Sequence, residues 1–184
     1  MNRGNLELVD YAIYFATKAH NGQKRKSDKE VDMIFHPYTV AMMIQRVGGS
    51  DEAVIAGLLH DVVEDTKYTL EDIVNEFGEK IANIVSEVSE KKELPWDERK
   101  QEAIERIKIA SFDGKLVECA DKVSNLETMY NLYEEIGEEL WNSFNKPKEK
   151  QKWYYTEMYK AIIENTTEDN NLFKRYKEVL EKLF

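Results

Sequence analysis

The chain has 184 residues, 42% hydrophobic and 34% charged, with a formal net charge of −10 at pH 7. This composition suits one soluble domain with a proper core and excludes a disordered chain. The acidic balance argues against general affinity for nucleic acid or an anionic membrane, no apolar run is long enough to span a bilayer, and the opening MNRGNLELVD lacks a signal-peptide core.

Helical periodicity runs almost throughout, and convincing period-two alternation is absent. A first helix is expected over about residues 5 to 20, with Leu8, Ala12, Phe15 and Ala19 inward and His20 as a structural histidine at its end. The polar loop NGQKRKSDKEVD follows. Its Lys24, Arg25 and Lys26 form the only tight basic cluster before the tail, either a solvated run or a seat for a small anionic ligand. The second helix should open at His36, with Pro37 where proline is tolerated, and close before Gly48-Gly49.

A third helix is expected from Asp51 to about Asp65, with Val54, Ile55, Leu58, Leu59, Val62 and Val63 at helical spacing. Its other stripe carries His60 and Asp61, then Glu64 and Asp65 one turn on. Like charges four residues apart repel by a few tenths of a kcal/mol. LLHDVVEDT contains no Lys or Arg, so a cation must come from elsewhere; the stripe is either solvated surface or part of a metal site.

Thr69 to Asp72 resembles a capping box with Asp for Glu, and Gly78 should end that short helix. Helices are expected over about 79 to 90 and 97 to 111, then a long one from Asp113, as N-cap, to about Glu135. Cys119, the single cysteine, lies among Leu116, Val117 and Ala120 and reads as an inert core thiol, which suits a reducing cytoplasm. The last pair spans about 147 to 165 and 168 to 184. Trp153, Tyr154 and Tyr155 there, beside a basic stretch with Lys146, Lys148, Lys150 and Lys152, read as core; the alternative is that a Tyr or Lys from this helix closes the pocket. No repeat or linker divides residues 1–184, so the expectation is an all-α single domain, with no signature of oligomeric state.

Further metal donors exist. His36 sits between Phe35 and Pro37 as a ligand or a satisfied core or capping histidine. Asp121, set among Val117, Ala120, Val123 and Leu126, must be paired or coordinating, and a salt bridge to Lys122 or Lys115 is the alternative. Asn125 and Thr128 follow at one-turn steps on the same face. Two imidazoles and two carboxylates suit manganese, iron, cobalt or zinc better than magnesium or calcium. Such a set leaves positions for water, which Glu64 and Asp65 could orient or deprotonate, unless they protonate a leaving group.

His36, the His60-Asp61 doublet and Asp121 have the order of the HD-domain metal-dependent phosphohydrolases. AHNGQKRKS, HPYTVA, LLHDVVEDT and ADKVSNLET resemble four blocks of the RelA/SpoT-type and small stand-alone alarmone hydrolases, over residues 19 to 128. The resemblance implies a single helical HD-domain bundle holding Mn²⁺ through His36, His60, Asp61 and Asp121. It implies hydrolysis of the 3′-pyrophosphate of guanosine tetra- or pentaphosphate, with Glu64 and Asp65 as the catalytic acidic pair. Arg25 would pack on the guanine ring, Lys26 beside it, and Asn125 and Thr128 would contact the nucleotide.

The chain departs from that pattern in SDKEVDMIF, which replaces a segment usually reading Ser-Gly-Glu-Pro-Tyr. It departs again at Lys122-Val123-Ser124-Asn125 and at Glu127, a commonly basic position. The metal set is intact and the base-recognition segments are altered. Alternatives are therefore an HD hydrolase of another nucleotide or phosphoester, a non-catalytic nucleotide sensor and, most remotely, a helical adaptor.

Overall fold

The computed structural model describes residues 7–90, 92–166 and 170–184. The fold is all-α. Its helices are α1 (Leu8–Ala19), α2 (Phe35–Arg46), α3 (Asp51–Leu59), α4 (Val62–Asp65), α5 (Leu70–Phe77), α6 (Glu79–Val88), α7 (Trp96–Lys108), α8 (Phe112–Ile136), α9 (Lys148–Ile163) and α10 (Asn171–Leu183), with a 3-10 helix at Gly137–Ser143 before α9. The expected starts at residues 5 and 168 lie outside the described residues. No described helix is long and apolar enough to cross a membrane.

The 25-residue α8 runs through the middle, and every residue from Gly114 to Ser124 is buried. A helix buried on every face must be covered on all sides; α2, α3, α6, α9 and α10 do so. α2 lies against both α3 and α8, which brings the start of α2, the end of α3 and the middle of α8 together. Gly57 permits this approach: a Cβ there would stand 2.7 Å from Ile44 Cδ1 and 3.4 Å from the Ala41 Cα.

Three local features differ from the sequence expectation. The helix expected over 51 to 65 breaks at the His60-Asp61 doublet into α3 and α4. The His60 Nδ1–H donates to the Gly57 carbonyl at 2.8 Å, the acceptor that the Asp61 N–H would take in a continuous helix. Ser111, not Asp113, caps α8, its hydroxyl accepting the Gly114 N–H at 3.0 Å. Asp113 instead accepts the Ser50 hydroxyl at 2.8 Å, and Ser50 is itself the N-cap of α3, so the starts of α3 and α8 are tied together. The 3-10 helix was not expected. The Thr69–Asp72 capping box and the stop at Gly78, where φ is 88°, are as the sequence indicates.

Candidate metal centre and active site

His36 comes from the first turn of α2, the His60-Asp61 doublet from the turn between α3 and α4, and Asp121 from the buried middle of α8. Donor atoms of His36, His60 and Asp121 lie within 4.8 Å of one another, and all three residues are buried. His36 Nε2 is 2.9 Å and His60 Nε2 3.8 Å from Asp121 Oδ1. Asp61 stands beside them, its Oδ2 3.3 Å from His60 Nε2 and 3.7 Å from His36 Nε2.

Each imidazole is held from behind. His60 Nδ1 is committed to the Gly57 carbonyl, so Nε2 carries the lone pair of the neutral ring. His36 Nδ1 pairs with Ser124 Oγ at 3.0 Å. His60 is 5% exposed, yet its Nε2 has no hydrogen-bond partner among the described residues. A buried nitrogen left unpaired costs about 1–3 kcal/mol, and this one faces two carboxylates. An orphaned nitrogen and a mixed nitrogen and oxygen donor set fit a divalent transition metal.

Electrostatics sharpen the point. Burial opposes charge on His60, but Asp61 and then Asp121 outweigh it and raise its pKa to about 10. Against the same pull of burial, His60 and His36 hold Asp61 low, while Lys122 and His36 hold Asp121 well below the carboxylate range. The pocket is anionic enough to keep a proton on imidazole, and a cation of higher charge answers the same field. Asp121 also makes the salt bridge offered as its alternative: Lys122 Nζ lies 2.6 Å from Oδ2 and 3.0 Å from Glu118 Oε1. Lys115 instead donates to the Glu164 carbonyl.

Glu64 projects from α4 with Oε1 accepting the Glu90 N–H at 2.7 Å. Burial raises its pKa to about 7, and Asp61 and Glu90 add to the rise. Asp65 is more exposed and pairs with Lys92, whose Nζ also donates to the Glu64 carbonyl at 2.8 Å. Lys92, from the α6–α7 connection, is thus a cation that the acidic stretch itself lacks. Asn125 donates to Asp121 Oδ1 at 2.7 Å, while the Thr128 hydroxyl turns back to the Ser124 carbonyl. Arg25 and Lys26 lie on the loop between α1 and α2, and the structure does not bring them into hydrogen-bond contact with the His and Asp cluster among the described residues; Arg25 Nη1 reaches Met33 Sδ at 3.9 Å. Lys24 is taken up by Asp32 at 2.7 Å.

Ser124, Glu118, Glu90, Lys92 and Gln23 are supporting residues that the sequence alone did not assign, whereas Lys122 was offered as a partner of Asp121. The i,i+4 spacing of Glu118 and Lys122 inside an apolar stretch was a usable signal. Tyr154, from the aromatic run of α9, is buried, with Lys100 Nζ 4.4 Å from its ring centroid and Glu90 Oε1 3.4 Å from its hydroxyl. That run is core, and it also walls a charged cluster.

Residues 12–144 match the family described as HD domain. The chain is 43% identical over 124 residues to the guanosine-3′,5′-bis(diphosphate) 3′-pyrophosphohydrolase MESH1 of Xenopus tropicalis, covering 66% of this chain and 69% of that one. A solved metazoan ortholog of SpoT that hydrolyses ppGpp superposes with a TM-score of 0.77 at 27% identity, over 97% of this chain and 98% of that one. The lmo0812 structure from Listeria monocytogenes EGD-e gives 0.74 at 33% identity, over 81% and 93%. Motif order, helical architecture and these likenesses agree: the chain belongs to the HD-domain family, in the branch where the MESH1 and SpoT-type proteins lie.

Proposed function

We propose that the protein is a metal-dependent hydrolase that removes the 3′-pyrophosphate of guanosine tetra- or pentaphosphate, giving GDP or GTP and pyrophosphate. The observation that carries this is the buried convergence of His36, His60 and Asp121 within 4.8 Å, in a chain 43% identical over 124 residues to an enzyme named for that reaction. In this reading His36, His60, Asp61 and Asp121 hold one divalent cation, Mn²⁺. When bound, that ion supplies Lewis acidity, acidifying water and offsetting phosphate charge.

The remaining chemistry belongs to side chains. Glu64, poised near neutrality, accepts the proton of the attacking water, and a proton goes to the ribose 3′ oxygen as its bond to phosphorus breaks. Asp65, its charge countered by Lys92, orients the reacting groups. Arg25 offers a planar cation to the guanine face, with Lys26 beside it and Asn125 and Thr128 along the sugar and phosphates. The reading takes residues 1–184 as one unit, which the packing of α10 on α8 supports. A cytoplasmic setting is supported by the buried, unpaired Cys119.

The test is pyrophosphate release from guanosine tetraphosphate by EDTA-treated protein with and without Mn²⁺. Metal-dependent release is expected; turnover of other nucleotides with none of this one overturns the assignment. A second reading, another nucleotide at the same centre, is favoured by the Lys24–Asp32 pair, which draws one loop cation away from an anionic ligand. Comparing kcat/KM across a nucleotide panel separates the two.

A further inference from the structure

The basic loop and the acidic pair are joined by two consecutive side-chain hydrogen bonds. His20, the C-cap residue of α1 and 2% exposed, donates from Nδ1 to Gln23 Oε1 at 2.8 Å. Gln23 Nε2 donates in turn to the Asp65 carbonyl at 2.7 Å. That carbonyl lies at the end of the four-residue α4, among the acceptors that a helix terminus leaves without a backbone donor. Gln23 is also the root of the loop carrying Arg25. Its carbonyl accepts the Met33 N–H at 2.9 Å and the Arg25 N–H donates to the Val31 carbonyl at 2.9 Å, a short ladder around the Lys24–Asp32 bridge.

Two observations set this apart from ordinary packing. His20 Nε2 is buried with no protein partner among the described residues. Leucine or phenylalanine would fill the place without that penalty, so the imidazole is accounted for by its other nitrogen. In addition, Val62 is the one buried residue of α4. With so little core of its own, α4 depends on ties from its neighbours: Lys92 and the Glu90 N–H on one side, Gln23 on the other.

We propose that His20 and Gln23 are positioning residues that fix Asp65 relative to the Arg25 loop, so that seating a base on the loop and placing the acidic pair are one event. This rests on the reading of Glu64 and Asp65 as the catalytic pair.

Gln23→Glu keeps an acceptor for His20 and removes the donor to the Asp65 carbonyl. With guanosine tetraphosphate and Mn²⁺, kcat is expected to fall about 10- to 100-fold, the scale of a misplaced catalytic group, while KM moves less than about threefold. His20→Leu should lose kcat in the same way, and His20→Asn, which places an amide donor near the Nδ1 position, should recover most of it. Hydrogen exchange over residues 61–68, read without substrate, should quicken in Gln23→Glu and His20→Leu but not in His20→Asn. Unchanged kcat and exchange in Gln23→Glu, or equal losses in the two His20 variants, overturns the proposal. Asp65→Asn is measured alongside: undiminished kcat there overturns the acidic-pair reading itself, and the exchange data then decide whether the tie exists.

Discussion

Glu64 Oε1 accepts the Glu90 N–H at 2.7 Å, which fixes a half-buried carboxyl of α4 against the segment leaving α6. Burial raises that carboxyl to about 7 despite the hydrogen bond, which lowers it. A base of this kind works when ionised, so kcat/KM should fall on the acid side of an inflection near pH 7. Glu64→Gln should abolish the inflection and lower kcat about 10²- to 10⁴-fold. The same inflection persisting in the Gln variant would assign it to another group.

Stability and metal binding should respond to pH in opposite senses. His60 is raised from 6.5 to about 10, so its contribution is complete below the unfolded value and is lost as pH rises through about 10. Glu64, raised from 4.5 to about 7, acts in the same direction over its own window. Asp61 and Asp121 are held below 3.8, so their contribution is present above that value and lost toward acid. The melting temperature of chelator-treated protein should therefore peak between roughly pH 4 and 5 and decline toward alkali, first as Glu64 and then as His60 loses its proton. A cation takes the nitrogen that His60 must deprotonate, so Mn²⁺ affinity should strengthen from about pH 6 to about pH 8. Thermal-shift titrations across that range check this, and a flat or inverse trend removes His60 from the donor set.

Ser124 Oγ is 3.0 Å from His36 Nδ1. Outer partners of this kind orient the ring, and losing one costs about 10- to 100-fold in metal affinity. Ser124→Ala should weaken Mn²⁺ binding by that amount in calorimetric titration with little change in fold. Unaltered affinity would mean that packing alone orients His36.

Lys122 serves both Asp121 and Glu118, and all three are buried. Lys122→Met leaves two buried carboxylates without their cation, a change that costs about 3–5 kcal/mol. The melting temperature should fall by roughly 10 °C, and adding Glu118→Gln should recover part of the loss. If the single variant melts like the native protein, water solvates the cluster.

The convergence of His36, His60 and Asp121 was legible because each stands in an apolar stretch, where an unexplained polar group is costly. α5 was legible because Thr69, Asp72 and Gly78 punctuate both ends. The break at His60 was not, since Leu58, Leu59, Val62 and Val63 keep helical spacing across it and the interruption comes from an imidazole turned onto its own backbone. Ser111 and Asp113 are both capping types two residues apart, and only the contact with Ser50 shows why Asp113 is engaged elsewhere. The grip of Gln23 and Lys92 on α4 joins distant residues through backbone carbonyls, which leave no trace in a pattern of side chains.

The family match stops at residue 144, but the helix bearing Asp121 does not stop needing cover there. Arg175 of α10 forks onto Glu127 of α8 at 2.5 and 2.7 Å, and Phe173 and Tyr176 beside it are wholly enclosed. A recombinant fragment trimmed at the family boundary would strip that lagging from α8 and leave a greasy flank wet. Clumping in the test tube, rather than a tidier minimal enzyme, is the outcome to expect from such trimming.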